Sequence, residues 1–217
     1  MRGAAIILLF TACAEATWPP RVGPPAPVVA DRAAEERYQL VLARWTRRAE
    51  LYDGFDSRLF VAAALETMEL REAKASRLAL FKALAPAEAE PLIAAERAAH
   101  AQVLSVTMGV HANERRFDDF ASTGSIWRVA LVSRTGEAQP VAIVRLPRPD
   151  ASMRGLYPFL ETFWTAYRID FPRSFPNGTQ VLAQEPGKVL LRLSSALGKI
   201  ELTWELSAPG ARGAAWP

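Results

Sequence analysis

The two histidines of the chain, His100 and His111, stand eleven residues apart, with Glu96, Glu114, Asp118 and Asp119 close by in sequence. Imidazole and carboxylate groups can hold zinc or move protons as general acids and bases, so a site built from them would make the protein a metal-dependent hydrolase. The spacing matches no H-x-x-x-H pair on one helical face, and solvated helix-end and loop positions are the simpler expectation. Asp118 and Asp119, which follow Arg115 and Arg116, read as exposed charges bordering a loop ahead of Ser125. Asp53 and Asp56 flank Gly54 and could offer oxygen to calcium, but the full ligand set of a calcium loop is missing. A hairpin turn in which Asp bonds its own backbone is expected there instead. No serine lies in a G-x-S-x-G elbow, and neither a phosphate-binding G-x-x-x-x-G-K-[ST] loop nor a G-x-G-x-x-G loop occurs. The residues therefore nominate no catalytic group, no metal ligand and no cofactor site, and the expectation is a protein that is not an enzyme.

The elements that would position such groups follow from periodicity. Residues 33–43 suit a short helix or the lead into a strand, and a hairpin is expected from Trp45 to Leu65, turning at Tyr52-Asp53-Gly54-Phe55-Asp56-Ser57. Leu70, Ala73, Arg77, Leu78, Phe81 and Leu84 share one stripe of a helix over 70–85 that Pro86 should stop. A second helix is expected over 91–99. Leu104, Val106, Met108 and Val110 then alternate as a strand, which makes the helices an insertion between strands.

Strands are also expected over 126–133 and 141–146, joined by a turn at Arg134-Thr135-Gly136-Glu137. Tyr157, Phe159, Phe163, Thr165, Tyr167, Ile169 and Phe171 repeat every second residue up to Pro172. Val189, Leu191 and Leu193 alternate, as do Ile200, Leu202, Trp204 and Leu206, on either side of Ala196-Leu197-Gly198-Lys199. That pair is the strongest hairpin signal in the chain. The fold class expected is α+β, mainly β: an antiparallel β-sandwich-like domain with a helical insertion near 70–100. Trp45, Trp127, Trp164 and Trp204 fall in the strand regions, where they could line a ligand cleft or stack on sugars. Filling a sandwich core is the more ordinary use.

With 217 residues, half of them apolar, the chain can bury a sizeable core in one domain. Residues 31–120 carry thirteen basic and fifteen acidic side chains and residues 121–217 eleven and seven, so the C-terminal half is only mildly cationic. That gives little support to nucleic-acid binding. Cys13 is the single cysteine, which excludes an intramolecular disulfide and a cysteine-based metal cluster.

The chain opens with Arg2, an unbroken apolar run from Ala4 to Phe10, and the small pair Thr11-Ala12 directly before Cys13. Charge, short apolar run and small residues in that order describe a secretory leader, and the run is far below the ~20 residues a spanning helix needs. Phe10-Thr11-Ala12-Cys13 resembles the lipobox of bacterial lipoproteins, with Phe where Leu is usual. The resemblance implies lipidation of Cys13 as the first mature residue, and Ala14 lacks the aspartate that favours inner-membrane retention in some bacteria. From Thr17 to Pro27 five prolines exclude a central strand or helix interior, so an extended tether is expected. The body loosely resembles uncharacterised bacterial lipoproteins in "SIWRVALV" and "GKIELTWEL", a resemblance that implies no activity.

The organisation expected is a signal peptide over 1–12, the lipidated cysteine and tether over 13–30, one β-rich domain over 31–207 and a flexible tail over 208–217. The function expected is a lipid-anchored cell-envelope protein of the outer membrane, facing periplasm or exterior. It would serve binding or assembly with an envelope partner, with no cofactor and no nucleic acid. A carrier of an apolar ligand or lipid and a metal-dependent hydrolase are the alternatives.

Overall fold

A computed structural model describes residues 32–182 and 187–206; the leader, Cys13, the proline-rich stretch and the tail lie outside the described residues. Helix α1 (Arg32–Trp45) is rich in Ala, Glu, Leu and Arg and buries Tyr38 and Leu42. It runs directly into β1 (Thr46–Asp53), which turns through Gly54 at φ +62° into β2 (Asp56–Leu65). The predicted hairpin is thus present, with Asp53 and Asp56 closing it as cross-strand partners.

Helix α2 (Met68–Phe81) starts where the Thr67 hydroxyl accepts from the Leu70 N–H. It ends earlier than Pro86 predicts, because Ala83 enters the left-handed region at φ 50° while its N–H bonds the Leu80 carbonyl. Pro86 instead opens α3 (Pro86–Gln102), where the missing N–H costs nothing and the Glu88 carboxylate accepts from the Ala85 N–H. The second helix therefore begins at 86, with Pro91 inside it. Strand β3 (Val103–Ala112) follows and pairs antiparallel with β2, so α2 and α3 are the insertion expected between two neighbouring strands.

A 3₁₀ turn (Arg115–Phe117) leads to β4 (Arg128–Ser133), β5 (Gly136–Ala138), β6 (Ala142–Arg145), α4 (Ala151–Leu156), β7 (Thr165–Pro172), β8 (Gly187–Ser195) and β9 (Gly198–Leu206). Two antiparallel sheets result, ordered β1-β2-β3-β7-β6 and β5-β4-β8-β9. Two sequence expectations are corrected. The turn at 134–137 joins β4 to the short β5, whereas residues 142–145 cross to the other sheet and pair with β7. Pro140, which has no N–H for a ladder, interrupts the run, and the Val141 N–H bonds the Asp170 carbonyl at 2.8 Å. The aromatic repeat from Tyr157 is a strand only from Thr165, because Tyr157 caps α4 and two tight turns, one through Pro158 and one from Glu161 to Trp164, occupy the first half.

Side-chain parity builds three layers. Leu59, Val61, Met108, Ile169, Leu131, Leu191, Leu202 and Trp204 point between the two sheets and form the main core. The opposite face of the five-stranded sheet, carrying Ala62, Ala64 and Ala166, is covered by Tyr38 and Leu42 of α1, Leu70 of α2, and Tyr157, Phe159 and Leu160. Small residues on this face let the helical layer approach closely. A Cβ on Gly109 would lie 2.8 Å from Leu160 Cδ2 and 3.0 Å from Trp164 Cε3. At one edge the sheets are tied together where the Trp204 indole donates to the Trp45 carbonyl at 2.7 Å and Arg47 Nε to the Thr203 carbonyl at 2.8 Å. Trp127 and Trp204 are core residues, while Trp45 and Trp164 are partly buried.

Candidate functional site

His100 ends α3, and His111 lies near the far end of β3, so the two are on the order of 25 Å apart at ~3.3 Å per strand residue. His111 sits on the helix-side face of the sheet, in an aromatic row with Phe60 and Trp164 at 6.1 and 6.5 Å between ring centres. Burial, followed by the charges of Arg173 and Arg71, pushes the His100 pKa down.

The carboxylates singled out in the sequence have structural partners. Glu96 pairs with the buried Arg71 at 2.8 Å, and Glu114 with Arg58 and Arg116. Asp53 also pairs with Arg58. Asp118 and Asp119 are not the exposed charges that the sequence suggested. Asp118 accepts from the Tyr167 hydroxyl at 2.8 Å and from the Thr165 hydroxyl, and pairs with Arg145; burial and this carboxylate push the Tyr167 pKa up. Asp119 accepts from the Ser125 hydroxyl and the Ile126 N–H, which fixes the loop entering β4. Tyr167 belongs to the core between the sheets, opposite the face that carries His111. His100, His111, Asp118 and Asp119 do not converge, and among the described residues no group of three or more His, Cys, Asp or Glu could hold a metal ion.

What the fold does bring together is a polar cluster under the helices. Glu66, just after β2, is 3% exposed and ion-paired with Lys74 of α2. Thr107 of β3 donates to the same carboxylate at 2.8 Å, the Tyr157 hydroxyl donates to it as well, and Lys74 reaches that hydroxyl at 2.6 Å. Burial alone pushes the Glu66 carboxyl up, but the Lys74 ammonium and the three hydrogen bonds outweigh it and hold the pKa below the usual carboxylate range. Burial and the Glu66 charge push the Tyr157 phenol well up. In this cluster Glu66 Oε1 is hydrogen-bonded by Thr107 and Tyr157, and Oε2 is matched by the Lys74 charge.

A second ionic pair, on the next turn of α2, faces an opening. Arg77 is 2% exposed, and its Nη1 lies 2.7 Å from Glu35 Oε2 of α1, without the alignment a hydrogen bond needs. The guanidinium carbon is 4.2 Å from the centre of the Tyr38 ring and 5.1 Å from that of Phe81. Arg77 lines a half-open groove of about 300 Å³ between α1 and α2, whose walls include Val41, Ala73 and Leu80 and whose rim includes Arg37. Sequence periodicity had placed Arg77 inside the apolar stripe of α2, and a cation on an apolar stripe is the signal that marked it. Glu35, Glu66, Lys74 and Tyr157 carry no comparable signal, because their partners lie 8 to 91 positions away, beyond the reach of local pattern.

No protein-family model and no curated protein matches the chain. Among solved structures it is similar to a protein of unknown function from Burkholderia pseudomallei K96243, with 12% identity over 81% of this chain and 84% of that one and a TM-score of 0.37.

Proposed function

We propose that the protein is a lipid-anchored component of the cell envelope, attached through Cys13 to the outer membrane, whose β-rich body serves binding or assembly and not catalysis. The observation that carries the reading is the order along the chain. An apolar run from Ala4 to Phe10, the small pair Thr11-Ala12, Cys13 and a proline-rich stretch come in succession and lead to the body, whose first helix starts at Arg32. Each buried methylene of an acyl chain contributes about 0.8 kcal/mol, and two or more chains hold a protein firmly on a bilayer. Eighteen residues separate Cys13 from Arg32; at ~3.1 Å each in an extended form they would allow the body to stand a few nanometres from that surface.

Binding is favoured over catalysis by what the side chains already do. The carboxylates best placed in sequence for acid-base work are engaged in loop and core contacts, whereas the α1–α2 groove offers a positioned cation beside apolar walls. The same groove favours a carrier of an apolar ligand as the second reading. The positions of His100 and His111 lend no support to a metal-dependent hydrolase. The test is metabolic labelling with radioactive palmitate in a bacterial host, followed by membrane fractionation. Label and membrane association are expected in the native chain and lost in Cys13→Ala; equal labelling of the two would refute the anchor.

A further inference from the structure

We propose that the groove between α1 and α2 binds a small carboxylate carried on an aliphatic body, with the guanidinium of Arg77 as its receptor. The proposal rests on the reading of the body as a binding module and names what that module takes.

The argument starts from the cost of the arrangement. A buried arginine is retained only when its charge and its donors are matched. Its charge is matched, since Glu35 approaches Nη1 and is itself held by the Gln39 amide, which donates to Glu35 Oε1 at 2.8 Å. Its donors are not. Among the described residues none of Nε, Nη1 and Nη2 has a hydrogen-bond partner, in a side chain that is 2% exposed, and only Nη1 has a counter-charge beside it. Nε and Nη2 form the side-on edge of the guanidinium, and a planar carboxylate takes such an edge with two parallel hydrogen bonds. Glu35 therefore acts as a positioning residue that stands beside Nη1 as a counter-charge and leaves the Nε–Nη2 edge, reached once the groove opens, for an acceptor.

The groove sets the rest of the ligand. Its volume, about 300 Å³, is at the lower end of small-molecule sites and accommodates roughly ten non-hydrogen atoms at ~30 Å³ each. Val41, Ala73 and Leu80 supply apolar wall, and Leu80 is already 48% exposed. With Glu35 offset by Arg77, the exposed Arg37 leaves the groove cationic. An aliphatic acid of eight carbons meets all three conditions: anionic head, apolar body and size. Arg37 and Leu80, exposed at the rim, are the side chains that must swing aside to admit it.

The test is isothermal titration of octanoate, and of octanol as its uncharged counterpart, into the full-length protein in a non-ionic detergent, with detergent blanks subtracted. Octanoate is expected to bind one to one, about tenfold or more tighter than octanol. Arg77→Lys keeps the charge, removes the two-pronged edge, and should weaken octanoate by a similar factor while leaving octanol unchanged; its thermal melt verifies folding. Ala73→Phe fills the groove and should abolish both, its thermal melt again verifying folding. Equal affinity for acid and alcohol, or an affinity unaffected by Arg77→Lys in a folded variant, would overturn the carboxylate receptor and leave an apolar binding module. No binding of either probe would overturn the proposal and the binding role of this groove together. Palmitate labelling at Cys13 is independent of all these outcomes.

Discussion

Replacing Lys74 by Met should make mild acid, in which the native Glu66 stays charged, a stabilising condition for the variant. In the native protein the Glu66 carboxylate is 3% exposed and, among the described residues, Lys74 is its one ionic partner. Methionine has nearly the length of the lysine stem, so packing survives and the change removes the charge. Taking one partner from a buried pair costs about 3–5 kcal/mol at neutral pH, since the remaining charge is left uncompensated. For a body of this size that corresponds to a fall in Tm of roughly 6–20 °C. The pH dependence separates this account from simple loss of packing. With Lys74 present, the Glu66 pKa is depressed, so the unfolded chain binds more protons near the carboxylate range and stability is lost as pH falls below about 4.5. Without Lys74, burial dominates and raises the pKa, so protonation favours the folded state and the variant gains stability as pH falls from 7 toward 5. Urea unfolding followed by tryptophan fluorescence at pH 7.5 and 5.0 measures both. A variant that loses less than about 1 kcal/mol at pH 7.5, or whose deficit is the same at the two pH values, would refute the reasoning.

Asp118→Ala leaves the Thr165 hydroxyl without its acceptor and the Tyr167 hydroxyl with only the main-chain carbonyl of residue 118, and an unsatisfied donor costs ~1–3 kcal/mol, so a loss of about 1–3 kcal/mol is expected in the same unfolding assay. An effect within ~0.5 kcal/mol would return Asp118 to the exposed surface that the sequence suggested. Gly109→Ala places a methyl against Leu160 and Trp164 and should cost about 1–3 kcal/mol by differential scanning calorimetry, with a changed fluorescence maximum as Trp164 is displaced. For His100, whose pKa is lowered, the unfolded chain binds the proton more readily; its contribution is complete above about pH 6.5 and is lost as pH falls through that range. His100→Asn should therefore flatten Tm between pH 7.5 and 5.5, and an unchanged slope would exclude His100 as its source.

How far the sequence was legible depends on the distance over which each signal acts. The β8–β9 hairpin was plain because Val189, Leu191, Leu193, Ile200, Leu202 and Trp204 carry a period-two pattern, and all six prove to be buried. The hairpin of β1 and β2 and the helical insertion before β3 were visible for the same local reason. Period two failed at residues 157–164, where the aromatic spacing is that of a strand but Pro158 and the Leu160-to-Tyr157 turn override it. Tyr157 and Phe159 still face the core, as a cap over Gly109 and the helical layer.

Local pattern by itself therefore determined the fold class, two of the hairpins and the leader-like order that ends at Cys13, because period, charge order and proline content are properties of neighbouring residues. Tertiary structure alone decided that residues 142–145 leave the sheet of β4 for that of β7, that Asp118 and Asp119 are structural anchors, and that His100 and His111 stay apart. It also decided that Glu66 meets Lys74, Thr107 and Tyr157, and that Glu35 meets Arg77. The physical reason is common to all of these: burial and ion pairing depend on which face of which layer a side chain reaches, and that is settled only when distant segments pack.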